Sequence, residues 1–242
     1  MPRVYIHEVV EVDGTRRAHY QHHMTANWVP EASATRRQRC FGVFTLVGST
    51  GAWPRVVNIW EYDSWADLAH NFAHELDSPG HRDPMLERWW TEAAEFRSGG
   101  LDRILVADEH NPGVQHWESR AGTSAVAYAH EVIDVVPGTA RGVADAIGRS
   151  ASEADSDSPH GSLTLVGLWT TAMRADDEVV ALWGIPDWRT WAAFEESISA
   201  QAARHRGLTS LQRTLLVDAE LSPLRIGRQP IAADRRPIEE FG

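Results

Sequence analysis

An eight-residue pattern that occurs twice constrains the fold of this chain more than any other sequence feature. Residues 5–12 (YIHEVVEV) return as residues 128–135 (YAHEVIDV), with five of the eight positions identical. Two matches follow in the same order: TLVG at 45–48 and 164–167, and a tryptophan pair at 60 and 65 that returns at 183 and 188. A repeat of about 120 residues is a duplicated small domain rather than a solenoid unit. The sequence therefore predicts a first domain over 1–110, a linker over 111–124, a second domain over 125–220 and a C-terminal arm over 221–242.

Both halves carry the same predicted order of elements, β-α-β-β-α-β, which is the ferredoxin-like arrangement. In the first half we expect strands at 4–12, 41–48, 55–62 and 101–107, and helices at 14–27, from 65 to a break at 77–80, and at 83–96. In the second half we expect strands at 126–136, 162–169, 178–185 and 210–217, and helices at 139–151 and 187–204. One such unit leaves a sheet face uncovered by helices, so two units can pack these faces together into a closed α+β barrel.

The segment NIWEYDSW at 58–65 leads from a predicted strand into a predicted helix, and Trp183 and Trp188 echo it in the second half. On these residues the chain resembles the dimeric α+β barrel superfamily, and within it a tandem NIPSNAP-type protein. The resemblance covers both halves and implies a small-molecule role. Members of the superfamily include cofactor-independent oxygenases of aromatic polyketides, isomerases, lyases and haem-binding enzymes. The tandem arrangement also resembles the chlorite-dismutase and dye-peroxidase group, which implies haem or a metal as an alternative.

Composition excludes several classes of function. The net charge of −11 argues against nucleic acid or an anionic membrane as a partner. All 23 basic residues are arginines, which excludes Schiff-base catalysis and the P-loop lysine. The single Cys40 excludes an intrachain disulfide and a multi-cysteine metal site. Neither a signal peptide nor a membrane-spanning apolar run is apparent. We therefore expect a soluble cytoplasmic protein.

Histidines are distributed unequally between the halves, since nine of the 12 lie in residues 1–120. His19 and His23 of the first predicted helix align with Val143 and Ile147, which belong to the stripe predicted to face the second sheet. By that alignment His19 and His23 also face a sheet, where imidazoles could act as an acid and a base near neutral pH. The alternatives are a helix rotated relative to its counterpart and a solvated surface cluster.

The third predicted strand supplies further candidates. Asn58, Trp60 and Tyr62 share one strand face, and two of their three polar groups are lost in the second half. We therefore predict a catalytic role for Asn58 beside His19 and His23, and substrate packing by Trp60 and Tyr62 together with Trp28. Trp60 is also interpretable as a core residue. Arg103, which we align with Arg213, is predicted to bind a substrate carboxylate or to form a structural salt bridge.

Two other histidine patterns favour structural interpretations. His7 and His130 occupy matching strand positions, which is typical of pseudo-symmetric packing rather than of a single active site. His70 and His74 have the i, i+4 spacing of metal ligands, with Glu75 and His81 as possible additional ligands. They lie opposite the apolar stripe of their helix, so we interpret them as a solvated face and predict no metal.

The leading hypothesis is a small-molecule enzyme of bacterial specialised metabolism. It would move a proton on an aromatic or polyketide-like substrate, as a cofactor-independent oxygenase, isomerase or cyclase. The first alternative is a haem- or divalent-metal-dependent enzyme with a first-half histidine as ligand. The second is a non-catalytic NIPSNAP-type binding protein. A homo-oligomer is possible, because each half could pair with another chain instead of closing a barrel within one.

Overall fold

Eight antiparallel strands, four from each half of the chain, form one closed barrel. The computed structural model describes residues 1–77, 83–152, 162–201, 208–237 and 240. The strands are β1 Val4–Val12, β2 Arg39–Leu46, β3 Arg55–Tyr62, β4 Arg97–Ala107, β5 Ala127–Val135, β6 Thr164–Thr171, β7 Glu178–Ile185 and β8 Leu208–Asp218. Their order around the barrel is β1-β3-β2-β8-β5-β7-β6-β4. The halves join at β2–β8 and β4–β6, so the barrel closes within a single chain.

Helices cover the outside of this barrel. They are α1 Arg17–His22, α2 Val29–Thr35, α3 Trp65–Leu76, α4 Pro84–Ala93, α5 Val114–Glu118, α6 Ala140–Ser152, α7 Trp188–Gln201 and α8 Pro223–Ile226. A π-helical segment, His23–Trp28, joins α1 to α2. The first helix was expected to stop before Pro30, but it continues to Thr35. Pro30 lies inside this continuous helix and has no N–H group to donate to the backbone carbonyl of Ala26, four residues earlier, which accepts a hydrogen bond from Arg235 instead. His81 and the end of the predicted helix 187–204 lie outside the described residues.

The alternation of β1 separates the two faces of the sheet. Tyr5 packs inside the barrel with apolar residues of both halves. Val4 and Val10 pack instead against Tyr20 and the other helix residues of the first half. A third cluster joins the sheet of the second half to its own helices. The molecule therefore has a shared interior and two separate helix–sheet layers, one for each half.

The predicted linker and arm pack against the barrel. The linker contains α5, and Gln229 of the arm makes hydrogen bonds to both the backbone N–H and the backbone carbonyl of Cys40. Arg235 then donates to the backbone carbonyl of Ala26 in the π-helical segment. No helix in the described ranges has the length and apolar character needed to cross a membrane.

Candidate active site

Glu8 of β1 lies at the centre of the helix–sheet layer of the first half. One carboxylate oxygen, Oε2, accepts hydrogen bonds from Asn58 Nδ2 and Trp60 Nε1, each at 2.9 Å. Asn58 Nδ2 also lies 3.0 Å from the hydroxyl oxygen of Tyr20 on α1. These bonds fix the orientation of the carboxylate and leave its second oxygen, Oε1, for another partner.

The surroundings of Glu8 weaken its acidity. Enclosure by protein is the main cause, and the nearby carboxylate of Asp102 adds to it; together they raise the pKa of Glu8 to about 7. The hydrogen bonds from Trp60 and Asn58 and the charge of Arg97 act in the opposite direction. Near neutral pH the Glu8 carboxyl can therefore both accept and release a proton.

The equivalent carboxylate of the second half, Glu131, has a different partner. Trp183 Nε1 donates to Glu131 Oε2 at 3.0 Å, as Trp60 does to Glu8. Arg213 then occupies Oε1, with its Nε at 2.7 Å and its Nη2 at 2.6 Å. The carboxylate that is open in the first half is thus closed by an ion pair in the second.

Strand register gives the reason for this difference. Glu8 is paired with Asp102 on β4, and Glu131 is paired with Arg213 on β8. The equivalent of Arg213 is therefore Asp102 and not Arg103, so the sequence alignment of Arg103 with Arg213 was wrong by one residue. The first half has an acidic residue where the second half has its arginine.

An aromatic cavity of about 170 Å³ adjoins Glu8 between the sheet and the helices. Its aromatic walls are Trp28, Trp60, Phe72, Trp89 and Trp90. An outer groove of about 350 Å³ shares Glu8, Trp90 and Asp102 with the aromatic cavity. Glu8 therefore lies where the aromatic cavity meets the outer groove.

Four predicted site residues belong to this layer. Trp28 and Trp60 line the aromatic cavity. Tyr62 lies behind the wall, since Gln38 connects the Trp28 indole N–H to the Tyr62 hydroxyl through bonds of 2.9 and 2.6 Å. Asn58 reaches the cavity through Glu8. The structure thus brings Trp28, Asn58, Trp60 and Tyr62 into one layer.

The predicted orientation of His19 and His23 toward the sheet was wrong. Tyr20 and Met24 face the sheet, while the His23 ring stacks on Trp89 with centroids 5.1 Å apart. His19 stacks on Phe96 at 6.0 Å. Neither histidine is among the residues that line the aromatic cavity or the outer groove.

The residues of α6 that face the sheet are not the ones that its hydrophobic pattern predicts. The fully buried residues of α6 are Ala140, Ala144 and Gly148, whereas Val143 and Ile147 are only partly buried. Small side chains let a helix pack closely on a sheet. Tyr20 and Met24 occupy the positions of Ala144 and Gly148, so the helix of the first half presents large residues to its sheet.

Arg103 lies apart from the other predicted residues because its side chain points into the barrel. Its Nε is 3.0 Å from Glu178 Oε1, an ion pair between the halves. It lines a separate cavity of about 300 Å³ at one end of the barrel, beside His130.

The Nε2 atoms of His7 and His130 are 3.0 Å apart. Burial lowers the pKa of His7, and lowers that of His130 to about 4. This pair joins equivalent strands of the two halves.

The described residues do not fit haem or a metal at the predicted histidines. A haem ligand is an imidazole that faces a cavity large enough for a porphyrin. His22 Nε2 instead accepts the Arg236 backbone N–H at 3.1 Å, and His23 is held against Trp89. His74 lies 3.6 Å from Asp83. Within the described ranges, the one group of three potential ligands is Glu109, His110 and Asp145, outside the candidate site.

No protein-family model and no curated protein matches the sequence. Solved structures of similar fold include candidate monooxygenases from Fusobacterium nucleatum (TM-score 0.57, 12% identity, covering 90% of this chain and 93% of that one) and Lactobacillus acidophilus (TM-score 0.57, 7% identity, 96% and 97%). An anthrone oxidase-like protein is equally similar (TM-score 0.57, 11% identity, 89% and 91%). At these identities the likeness shows the fold alone: an α+β chain with an eight-stranded antiparallel barrel.

Proposed function

We propose that this protein is a small-molecule enzyme in which Glu8 removes a proton from an aromatic or polyketide-like substrate. The observation that carries the proposal is the environment of Glu8: a carboxyl group with a pKa of about 7 that opens onto an aromatic cavity. A general base is most effective when its pKa lies near the working pH. The monooxygenase-type structures of the same fold are consistent with an oxygenase-like enzyme.

The two oxygens of Glu8 have separate tasks in this proposal. Oε2 is held by Asn58 and Trp60, so the carboxylate keeps one orientation. Oε1 faces the substrate and receives its proton. The tryptophan walls of the cavity bind a planar ring by stacking and by burial of apolar area. The proposal keeps substrate packing by Trp28 and Trp60, changes the predicted catalytic role of Asn58 to positioning of the base, and moves the acid–base role from His19 and His23 to Glu8.

The reaction class within this proposal is cofactor-independent. Removal of a proton from a phenolic O–H group, or from a C–H group conjugated with a carbonyl and attached to an aromatic ring, gives a phenolate or enolate that can react with dioxygen, isomerise or cyclise. All three begin with the same transfer to Glu8. The side chains of the protein are sufficient for this proton transfer.

We also infer that the two halves are tandem ferredoxin-like repeats, over 1–110 and 125–220. The equivalent strand orders β4-β1-β3-β2 and β8-β5-β7-β6 support this. The NIPSNAP-type assignment rests on the motif at 58–65 and its echo at Trp183 and Trp188. This assignment and a cytoplasmic location stay predictions.

Deuterium exchange tests the proposed function without knowledge of the natural product. The probe is 1,8-dihydroxyanthrone, whose methylene group between two rings is acidic, incubated anaerobically in D2O and followed by mass spectrometry. We expect the wild type to catalyse exchange and Glu8→Gln to lose about 10³-fold of that rate, a typical loss for a general base. His19→Ala and His23→Ala are the controls and keep the rate. Equal rates for Glu8→Gln and wild type would contradict the proposal. Tight binding without exchange would favour the binding-protein alternative.

A further inference from the structure

The outer groove contains an arginine, Arg97, that has no role in the proton transfer to Glu8 as described above. The groove is lined by Glu8, Val10, Trp90, Ala94, Arg97, Ser98, Gly99, Gly100 and Asp102. Arg97 begins β4, and its guanidinium lies over the Trp90 ring with its central carbon 3.1 Å from the ring centroid. A guanidinium stacked on an aromatic face is held in one plane and keeps the N–H groups at its edge available to bind an oxygen.

Arg97 differs from the other arginines near the two carboxylate sites. Arg213 closes Glu131, and Arg36 is bound by Asn71 and Asp83. For Arg97, by contrast, no ion pair within 4 Å exists among the described residues. Its charge interacts electrostatically with Tyr20, Glu8 and Asp102, and the last two line the same groove. The first half therefore holds a half-buried cation and a proton-accepting carboxyl group on two sides of one space.

Strand register shows that this cation is specific to the first half. Arg97 is opposite Val12 on β1, and the corresponding pair on β5 and β8 is Val135 with Leu208. The first half thus has no arginine opposite Glu8. It has Arg97 instead, about two pleat repeats from Asp102 along β4 and beside the outer groove. Asp102 stands where the second half has Arg213, and Arg97 stands where it has Leu208. These two differences move the positive charge away from Glu8 and leave room for a ligand between Arg97 and Glu8.

We propose that Arg97 binds the substrate oxygen on which negative charge develops when Glu8 removes the proton. This inference rests on the proposed function. The substrate C–H or O–H bond breaks, its proton moves to Glu8 Oε1, and the electron pair moves onto the conjugated carbonyl or phenol oxygen. The product is an enolate or phenolate paired with the Arg97 guanidinium. The step consumes no oxidant, and the net charge of the site is unchanged.

The substrate class becomes narrower as a result. It is a planar molecule that carries a carbonyl or hydroxyl oxygen conjugated with its acidic position. The ring system lies in the aromatic cavity and the oxygen points into the outer groove. Fixed charge placed where an oxyanion forms stabilises the transition state more than the ground state. We therefore expect Arg97 to act mainly on the rate of proton transfer and only weakly on binding of the neutral substrate.

The ionisation of a bound phenol tests this inference independently of turnover. The probe is 4-nitrophenol, whose anion absorbs visible light, and the background is Glu8→Gln, which resembles Glu8 after it has received the proton. We expect the pKa of the bound phenol to be at least one unit lower than that of the free phenol. Arg97→Met in this background should remove the shift, and Arg97→Lys, which keeps the charge, should restore part of it.

Arg55→Met provides the matched control. Arg55 is paired with Glu11 at 3.0 Å and lines the barrel-end cavity rather than the outer groove. This variant removes the same charge from β3, on the other side of β1 from β4, and should keep the full shift. An unchanged shift in Arg97→Met, or no binding of 4-nitrophenol by Glu8→Gln, overturns the role of Arg97. Failure of the proposed function is seen separately, as absence of anthrone exchange in the wild type.

Discussion

Glu8 and Glu131 occupy the same position in the two halves but have opposite environments. Both accept an indole N–H at Oε2, from Trp60 and Trp183. At Oε1, Glu131 is bound by Arg213, and Glu8 is left open to a cavity. A buried carboxylate needs a partner or becomes a weaker acid. In the proposed function, duplication has kept one copy as a structural ion pair and left the other free for proton transfer.

The largest stability difference between the halves should follow removal of Arg213. Arg213→Ala leaves Glu131 buried without its cation, which costs about 3 kcal/mol or more. Asp102→Ala at the equivalent position should change stability by less than about 0.5 kcal/mol, because this exposed side chain closes no ion pair. Urea unfolding of both variants measures the difference. Similar losses would mean that the two carboxylates are held alike.

For the pair of His7 and His130 inside the barrel, by contrast, we expect substitutions in the two halves to have equal effects. Unfolded imidazoles titrate near pH 6.5, but the folded pair has lowered pKa values, about 4 for His130. The unfolded chain therefore binds more protons in this window, and stability falls as the pH drops from about 6.5 to 4, by about 3 kcal/mol for such a shift. His7→Gln and His130→Gln should each reduce this acid loss to a similar extent in denaturant titrations at several pH values. A reduction in one variant only would show that the pair is not shared.

Strand positions followed from the sequence because alternation and turn residues are local signals. The strand at 55–62 and the strand at 178–185 were predicted with their observed bounds. Which side of α1 faces the sheet was not predictable in this way. The prediction came from the alignment with α6, where the burial of Ala140, Ala144 and Gly148 depends on close packing and not on hydrophobicity.

The contrast between Asp102 and Arg213 was present in the sequence. Alignment of Ile104-Leu105-Val106 with Leu215-Leu216-Val217 gives the observed register, whereas matching Arg103 to Arg213 obscured it. The raised pKa of Glu8 could not be predicted from the sequence. It depends on enclosure by helices and by β4 that are distant in sequence.

A smaller effect is expected from the indoles that hold the two carboxylates. Trp60→Phe removes an N–H group that favours ionised Glu8, so the pKa of Glu8 should rise above about 7. The rising limb of the exchange rate against pH should then move up by about half a unit to one unit. Trp183→Phe is the matched variant and should leave this limb in place while reducing stability by about 1 kcal/mol. A downward shift in Trp60→Phe would contradict the assigned hydrogen bond.

Titration of the glutamate side chains by carbon-13 NMR tests the central contrast most directly, with Glu8→Gln and Glu131→Gln used to assign the two signals. The wild type should show a glutamate transition near pH 7 that is absent in Glu8→Gln and kept in Glu131→Gln. Asp102→Arg should supply the missing cation and lower the pKa of Glu8 by about one unit or more. A Glu8 signal that titrates at the usual pH of a glutamate in the wild type, or that does not move in Asp102→Arg, would contradict the account.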